Sequence, residues 1–180
     1  MKDCMLDLET LGTSPNSVIV QVGLCAFNFQ NEETDPGIEV NIDIQKSLDL
    51  GFQVDGSTLE WWFGQSDEAM KSIIQMPRYS PGKAILIVQQ YLKRLGIERV
   101  WSHATFDAPI LLNYFRQTGM QCPIHYRGFR DIRTLVGLAG FNRSDWIRFF
   151  EQNKGVKHTA LADCKTQIDY CREAYARIQR

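Results

Sequence analysis

Asp7-Leu8-Glu9 sets two carboxylates two residues apart at the end of a short run, Cys4 to Leu8, that reads as a buried strand. Residues at that spacing project from one face of a strand. Two like charges so placed repel each other unless a cation sits between them. A hard divalent cation, which takes oxygen ligands and keeps waters for phosphate groups, is the natural partner. Two further acidic positions share that potential. Asp107 follows the short strand Val100-Trp101-Ser102 and opens a helix with Pro109 in its first turn, where proline is tolerated. Asp163 lies one turn into the last helix, beside its apolar stripe, where a carboxylate calls for a partner. His158 stands five residues before Asp163, and imidazole is suited to proton transfer near neutral pH. Taken singly, each has an ordinary reading. Asp-x-Glu can mark a strand end, Asp107 can be a favourable helix-start charge, and His158 can be a polar surface residue.

The elements that must position these groups follow from pattern. Leu11 to Asn16 is turn chemistry. Val18 to Phe29 reads as a strand rich in β-branched and aromatic residues, followed by an acidic turn over 31–35. Ile38 to Ile44 alternates like a half-buried strand. Ser57 is read as the N-cap of a short helix holding Trp61 and Trp62, Ser66 as the cap of a second, and Ser80-Pro81 as the start of a third. A helix is expected over Asp107 to Gln117, closed near Gly119, and a short one over Arg130 to Leu138. The last helix, Thr159 to Ile178, turns Leu161, Cys164, Ile168, Cys171, Ala174, Tyr175 and Ile178 inward. Strands first and helices later imply an α/β fold, a mixed sheet with helices packed on it.

The order Asp-x-Glu, then strand–Phe-Asp–helix, then His-x-x-x-x-Asp opening the final helix resembles the DEDDh group of 3′→5′ exonucleases. That group includes the DNA polymerase III proofreading subunit, ribonuclease T and oligoribonuclease. The resemblance runs from Asp7 into the C-terminal helix, and Thr58 to Trp62 and Arg130 to Thr134 look most like small stand-alone phage and bacterial exonucleases. One departure stands in the second motif: many members read His-Asn-Ala-x-Phe-Asp, and here Ser102 and His103 hold the first two positions.

The resemblance implies a ribonuclease H-like fold, an antiparallel meander followed by parallel strands, over a single exonuclease domain spanning 1–180. It implies two divalent ions, Mg²⁺ or Mn²⁺, held by Asp7, Glu9, Asp107 and Asp163, with Asp7 shared between them and His158 as general base. It also implies release of nucleoside 5′-monophosphates from the 3′ ends of single-stranded DNA or RNA. Thr10, Leu11, Phe106 and Trp61 are the expected substrate contacts, with Leu11 and Phe106 as apolar wedges against the terminal bases, since such stacking tolerates any sequence. Phe106 as plain core, and the tryptophans as core or partner surface, are the competing readings. Asp131, between Arg130 and Arg133, reads as a helix cap or ion-pair member. Homodimers are frequent in the family.

Composition bounds the rest. The 180 residues, 44% hydrophobic and 23% charged with a net charge of −1, suit one soluble domain and argue against a protein that wraps nucleic acid with a broad basic face. A short strand end needs few phosphates neutralised. Five scattered cysteines without a C-x-x-C pair argue against a disulfide framework or zinc site and for a reducing cytoplasm. No run approaches membrane-spanning length. Three rivals remain: a ribonuclease H-like endonuclease, an inactive end-binding module on the same scaffold, and an interaction domain using its tryptophans.

Overall fold

The computed structural model describes residues 1–152 and 159–180. Strands β1 (Asp3–Thr10), β2 (Ile19–Phe27) and β3 (Ile38–Ile42) form the antiparallel meander. The two-residue β4 (Arg78–Tyr79) adds to β3 in parallel, while β5 (Arg99–Ser102) and β6 (Phe129–Asp131) extend the other side in parallel. The six-stranded order is β4-β3-β2-β1-β5-β6, so β1 is central.

β1 and β2 are buried on both faces, and their alternation sorts residues between two cores. Cys4, Leu6 and Leu8 with Val20, Val22 and Leu24 pack in one core with α4 (Pro81–Arg94) and α5 (Asp107–Gln117). Met5, Cys25 and Phe27 face the second core under α8 (Ala160–Ile178). Period-two alternation puts Asp7 and Glu9 on that second face. Their strand is thus a rigid central element rather than a loop.

The shorter helices are α1 (Ile44–Asp49), α2 (Gly56–Phe63), α3 (Asp67–Ile73), α6 (Ile132–Leu138) and α7 (Arg143–Gln152). The sequence reading did not anticipate α1 or α7, Ile44 opens α1 rather than ending a strand, and three further points differ. The α2 N-cap is Asp55, not Ser57, because the Asp55 amide donates to the Leu11 carbonyl (2.7 Å) and fixes the start earlier. Residues 130–131 belong to β6 rather than the following helix, since Trp101 and Ser102 of β5 pair with Arg130 and Asp131. Ile178 is exposed at the end of α8 instead of facing inward. Ser66 and Ser80 cap α3 and α4 as expected, and α5 has the expected bounds. The five cysteines are free, four of them buried. Among the described residues no helix is long and apolar enough to cross a membrane.

Candidate active site

Three of the four expected carboxylates converge: ligand oxygens of Asp7, Glu9 and Asp163 all lie within 4.8 Å of one another. Asp107 opens α5 beside them, nearly fully buried, near enough that its charge and that of Asp7 interact. His158 lies outside the described residues.

Asp163 is brought to the strand by a specific seat for the first turn of α8. Its leading amides would be orphans in a buried helix end. Ala160 N–H donates to Gln21 Oε1 (2.7 Å) and Leu161 N–H to Glu39 Oε2 (3.2 Å), while Gln21 Nε2 donates to Asn41 Oδ1 (2.9 Å). Gly23, directly opposite Asp7 in the β1–β2 register, leaves room for this turn. One turn beyond Asp163, Gln167 Nε2 donates to Asp7 Oδ1 (2.7 Å). Sequence reasoning overlooked Gln167, although its i+4 relation to Asp163 puts both on one helix face. The roles of Gly23 and Gln21 had no local signal, since both depend on a contact with distant α8.

The electrostatics are those of crowded anions. Burial, then repulsion from Asp163, pushes Asp7 up to about 7, partly offset by the Gln167 hydrogen bond. Burial, then the charges of Asp7, Asp163 and Asp107, pushes Glu9 up to about 9. Burial and Asp7 also hold Asp107 well above the usual carboxylate range. Asp107 Oδ2 and Gln167 Oε1 are buried without a hydrogen-bond partner among the described residues. An all-oxygen donor set with excess acceptors and suppressed ionisation fits a hard divalent cation, whose charge would let these groups ionise.

A stability prediction follows. Asp7 and Glu9 keep their protons in the native protein over a pH range in which the unfolded chain has released them. The native state therefore binds more protons there, and stability falls as pH rises. The melting temperature of metal-free protein is expected to drop between pH 5 and pH 8.5. Mg²⁺ or Mn²⁺ is expected to raise it more at the higher pH. Scanning calorimetry with EDTA and with metal checks this; an equal increment at both pH values would contradict it.

Beside Glu9 a groove of about 320 Å³ is bounded by Thr10, Thr13, Thr58, Trp61 and Phe106. Trp62 is buried and donates from Nε1 to the Thr10 carbonyl (2.9 Å), fixing α2 against the end of β1. Trp61 stands edge-on to it (ring centroids 5.0 Å apart), 48% exposed along the groove. Phe106 is half-buried, both packing on the core and lining the groove. Leu11 is buried in the core, and Thr13 takes the groove-lining place on that turn. Asp131 caps α6 through Thr134 N–H (3.1 Å), accepts from Ala104 N–H (3.1 Å) and pairs with Arg133 (2.9 Å). It ties down the turn leading to Asp107, the capping and ion-pair role expected of it.

A mixed sheet with this carboxylate cluster at the end of its central strand defines the nuclease class to which comparison with known proteins also points. Residues 2–175 match the model of the 3′-5′ exoribonuclease Rv2179c-like domain, and the chain belongs to that family of 3′→5′ exonucleases. The exodeoxyribonuclease of Enterobacteria phage T4 is 28% identical over 164 residues, covering 76% of this chain and 71% of the phage protein. The fold matches the nuclease domain of 3′hExo, a DEDDh family member solved with rAMP (TM-score 0.64, 17% identity, 97% of this chain and 91% of that one). It also matches E. coli Exonuclease I solved with a dT13 oligonucleotide (TM-score 0.68, 12% identity, 99% of this chain). The chain spans 42% of the length of Exonuclease I.

Proposed function

We propose that the chain removes nucleotides singly from the 3′ end of single-stranded DNA or RNA, releasing nucleoside 5′-monophosphates. The observation that carries this reading is the convergence of Asp7, Glu9 and Asp163 beside an open, aromatic-edged groove. Two Mg²⁺ or Mn²⁺ ions held by these three and Asp107 would supply charge stabilisation for the attacking and leaving oxygens and lower the pKa of water. The chain's own part is positioning. Gln167 orients Asp7, Gln21 and Gly23 seat α8, and Asp131 steadies the approach to Asp107.

The terminal nucleotide fits the groove, with its base against Trp61 and Phe106 and its sugar along Thr10 and Thr13. Stacking of this kind tolerates any base. The oligonucleotide bound to Exonuclease I and the rAMP bound to 3′hExo support a site open to either sugar. His158 is assigned the general-base role. Its support is its place next to Thr159, the N-cap of the helix that carries Asp163.

The test is product chemistry with a His158→Ala variant. Wild-type protein is expected to yield nucleoside 5′-monophosphates by chromatography. The variant is expected to lose ~10²–10⁴-fold in kcat near neutral pH, the usual contribution of a general base, with metal-induced thermal stabilisation retained. Full activity in the variant would remove His158 from the mechanism, and internal cleavage products would favour an endonuclease.

A further inference from the structure

Among the described residues three buried side-chain atoms lack a hydrogen-bond partner: Ser102 Oγ, Asp107 Oδ2 and Gln167 Oε1. Buried polar atoms are nearly always satisfied, so each exception marks a place where something polar belongs. Two of the three adjoin Asp7. Gln167 Nε2 donates to Asp7 Oδ1 (2.7 Å), and the charge of Asp7 acts on the Asp107 carboxyl. Asp107 Oδ2 is a carboxylate oxygen already expected to meet a cation. Gln167 Oε1 is neutral, and the four carboxylates do not account for it.

Gln167 is 6% exposed on α8, the helix that otherwise buries Cys164, Ile168 and Cys171 in the second core. An amide in such surroundings is unfavourable unless both its ends are used. Four residues after Asp163, it shares that residue's helix face, so α8 brings a carboxylate and an amide to the same strand end. The chemistry of Asp7 then decides how the amide lies. A carboxylate that holds a cation is ionised and can only accept. The amide therefore meets Asp7 with its nitrogen, as observed, and its oxygen is left free in the site. Held on a carboxylate in this way, the amide supports the cation's ligands rather than replacing one. Its oxygen is an acceptor for the water that a cation carries, and outer groups of this kind tune the affinity of a metal site. An amide does so without adding a fifth negative charge.

We infer that Gln167 makes the site selective for a cation that keeps its waters: Nε2 holds Asp7, and Oε1 accepts from a water in the shell of the bound ion. The inference rests on the reading of Asp7, Glu9, Asp107 and Asp163 as a cation site. Mg²⁺ gives up water reluctantly and is bound with several waters in place, whereas Ca²⁺ takes more oxygen ligands in a flexible geometry. An acceptor for shell water therefore favours Mg²⁺ over Ca²⁺. Gln167 is a positioning residue, acting through Asp7 and the hydration shell rather than on the substrate.

The test is titration calorimetry of metal-stripped protein, without nucleic acid, with Mg²⁺ and with Ca²⁺. The readout is the ratio of the Ca²⁺ Kd to the Mg²⁺ Kd. Gln167→Met keeps the length of the side chain and removes both hydrogen-bonding ends. It is expected to weaken Mg²⁺ binding ~10–100-fold, the usual effect of losing an outer partner of a metal ligand, and Ca²⁺ binding far less, so that the ratio falls. Gln167→Glu keeps an acceptor oxygen at the same reach and is expected to hold the wild-type ratio; it decides the matter if Gln167→Met does not fold. An unchanged ratio in folded Gln167→Met overturns the proposal. So does an equal loss of both ions, which would mark Gln167 as a support for Asp7 and no more. A fall of the ratio in Gln167→Glu as large as that expected of Gln167→Met also overturns it. Wild-type protein that binds neither ion is a separate outcome, which would sink the cation-site reading and this inference with it.

Discussion

Asp7→Asn is expected to abolish turnover while making the metal-free protein more stable. The two effects share one cause. Asp7 is buried between Glu9 and Asp163, where its charge is suppressed by burial and by repulsion. Asparagine keeps the shape and can still accept the Gln167 hydrogen bond, but contributes no charge to the cluster. Without metal, the repulsion that raises Glu9 and Asp107 is relieved. A chain of this size gains roughly 2–4 °C in melting temperature for each kcal/mol recovered. With substrate, one carboxylate of the cluster is gone, and losing ~4 kcal/mol of transition-state stabilisation costs ~10³ in rate. Kinetics and calorimetry on one preparation check both halves. An active variant would remove Asp7 from the chemistry, and a destabilised metal-free variant would show that the cluster is not under electrostatic strain.

Gly23→Ala is expected to be nearly as damaging, from a residue that touches no substrate. A Cβ at Gly23 would press on the Ala160 carbonyl and lie 2.6 Å from the Leu161 amide nitrogen. Both atoms belong to the backbone of α8, so no side-chain rotation relieves the clash. Overpacking of this kind costs ~1–3 kcal/mol. The helix is expected to move off the sheet and carry Asp163 with it, and a displacement of about 1 Å at a catalytic group can cost ~10²-fold in rate. Gly82→Ala is the control: nothing lies within 4 Å of its Cβ position in α4, and alanine favours a helix. Full activity in folded Gly23→Ala protein would show that the seat of α8 does not set the position of Asp163.

What the sequence disclosed, and what it did not, divides by the range of the interactions. Asp7 and Glu9 share a face because strand residues alternate, and Asp107 opens α5 where Phe-Asp-Ala-Pro marks a helix start. Such signals are local and survive in a single chain. The inner face of α8 was largely readable for the same reason, apart from Ile178 at its exposed end. β6 was hidden because three residues carry no periodicity and are a strand only through pairing with β5. The seat formed by Gln21, Gly23 and Glu39 joins positions more than a hundred residues from Ala160 and Leu161, and no pattern along the chain announces it. Trp61 and Trp62 were seen to be unable to share one environment. Which of them is core was decided by the Thr10 carbonyl that accepts the Trp62 indole N–H.

The central claim is that this carboxylate cluster removes nucleotides from a 3′ end. Its most direct measurement is a time course on 5′-labelled single-stranded DNA and RNA of one sequence, with Mg²⁺ or Mn²⁺, with EDTA, and with Asp7→Asn alongside. The expected result is a ladder shortening one nucleotide at a time from the 3′ end, present with metal and absent with EDTA or in the variant. No cleavage of either strand by well-folded wild-type protein in metal, or cleavage that persists in EDTA, would contradict it.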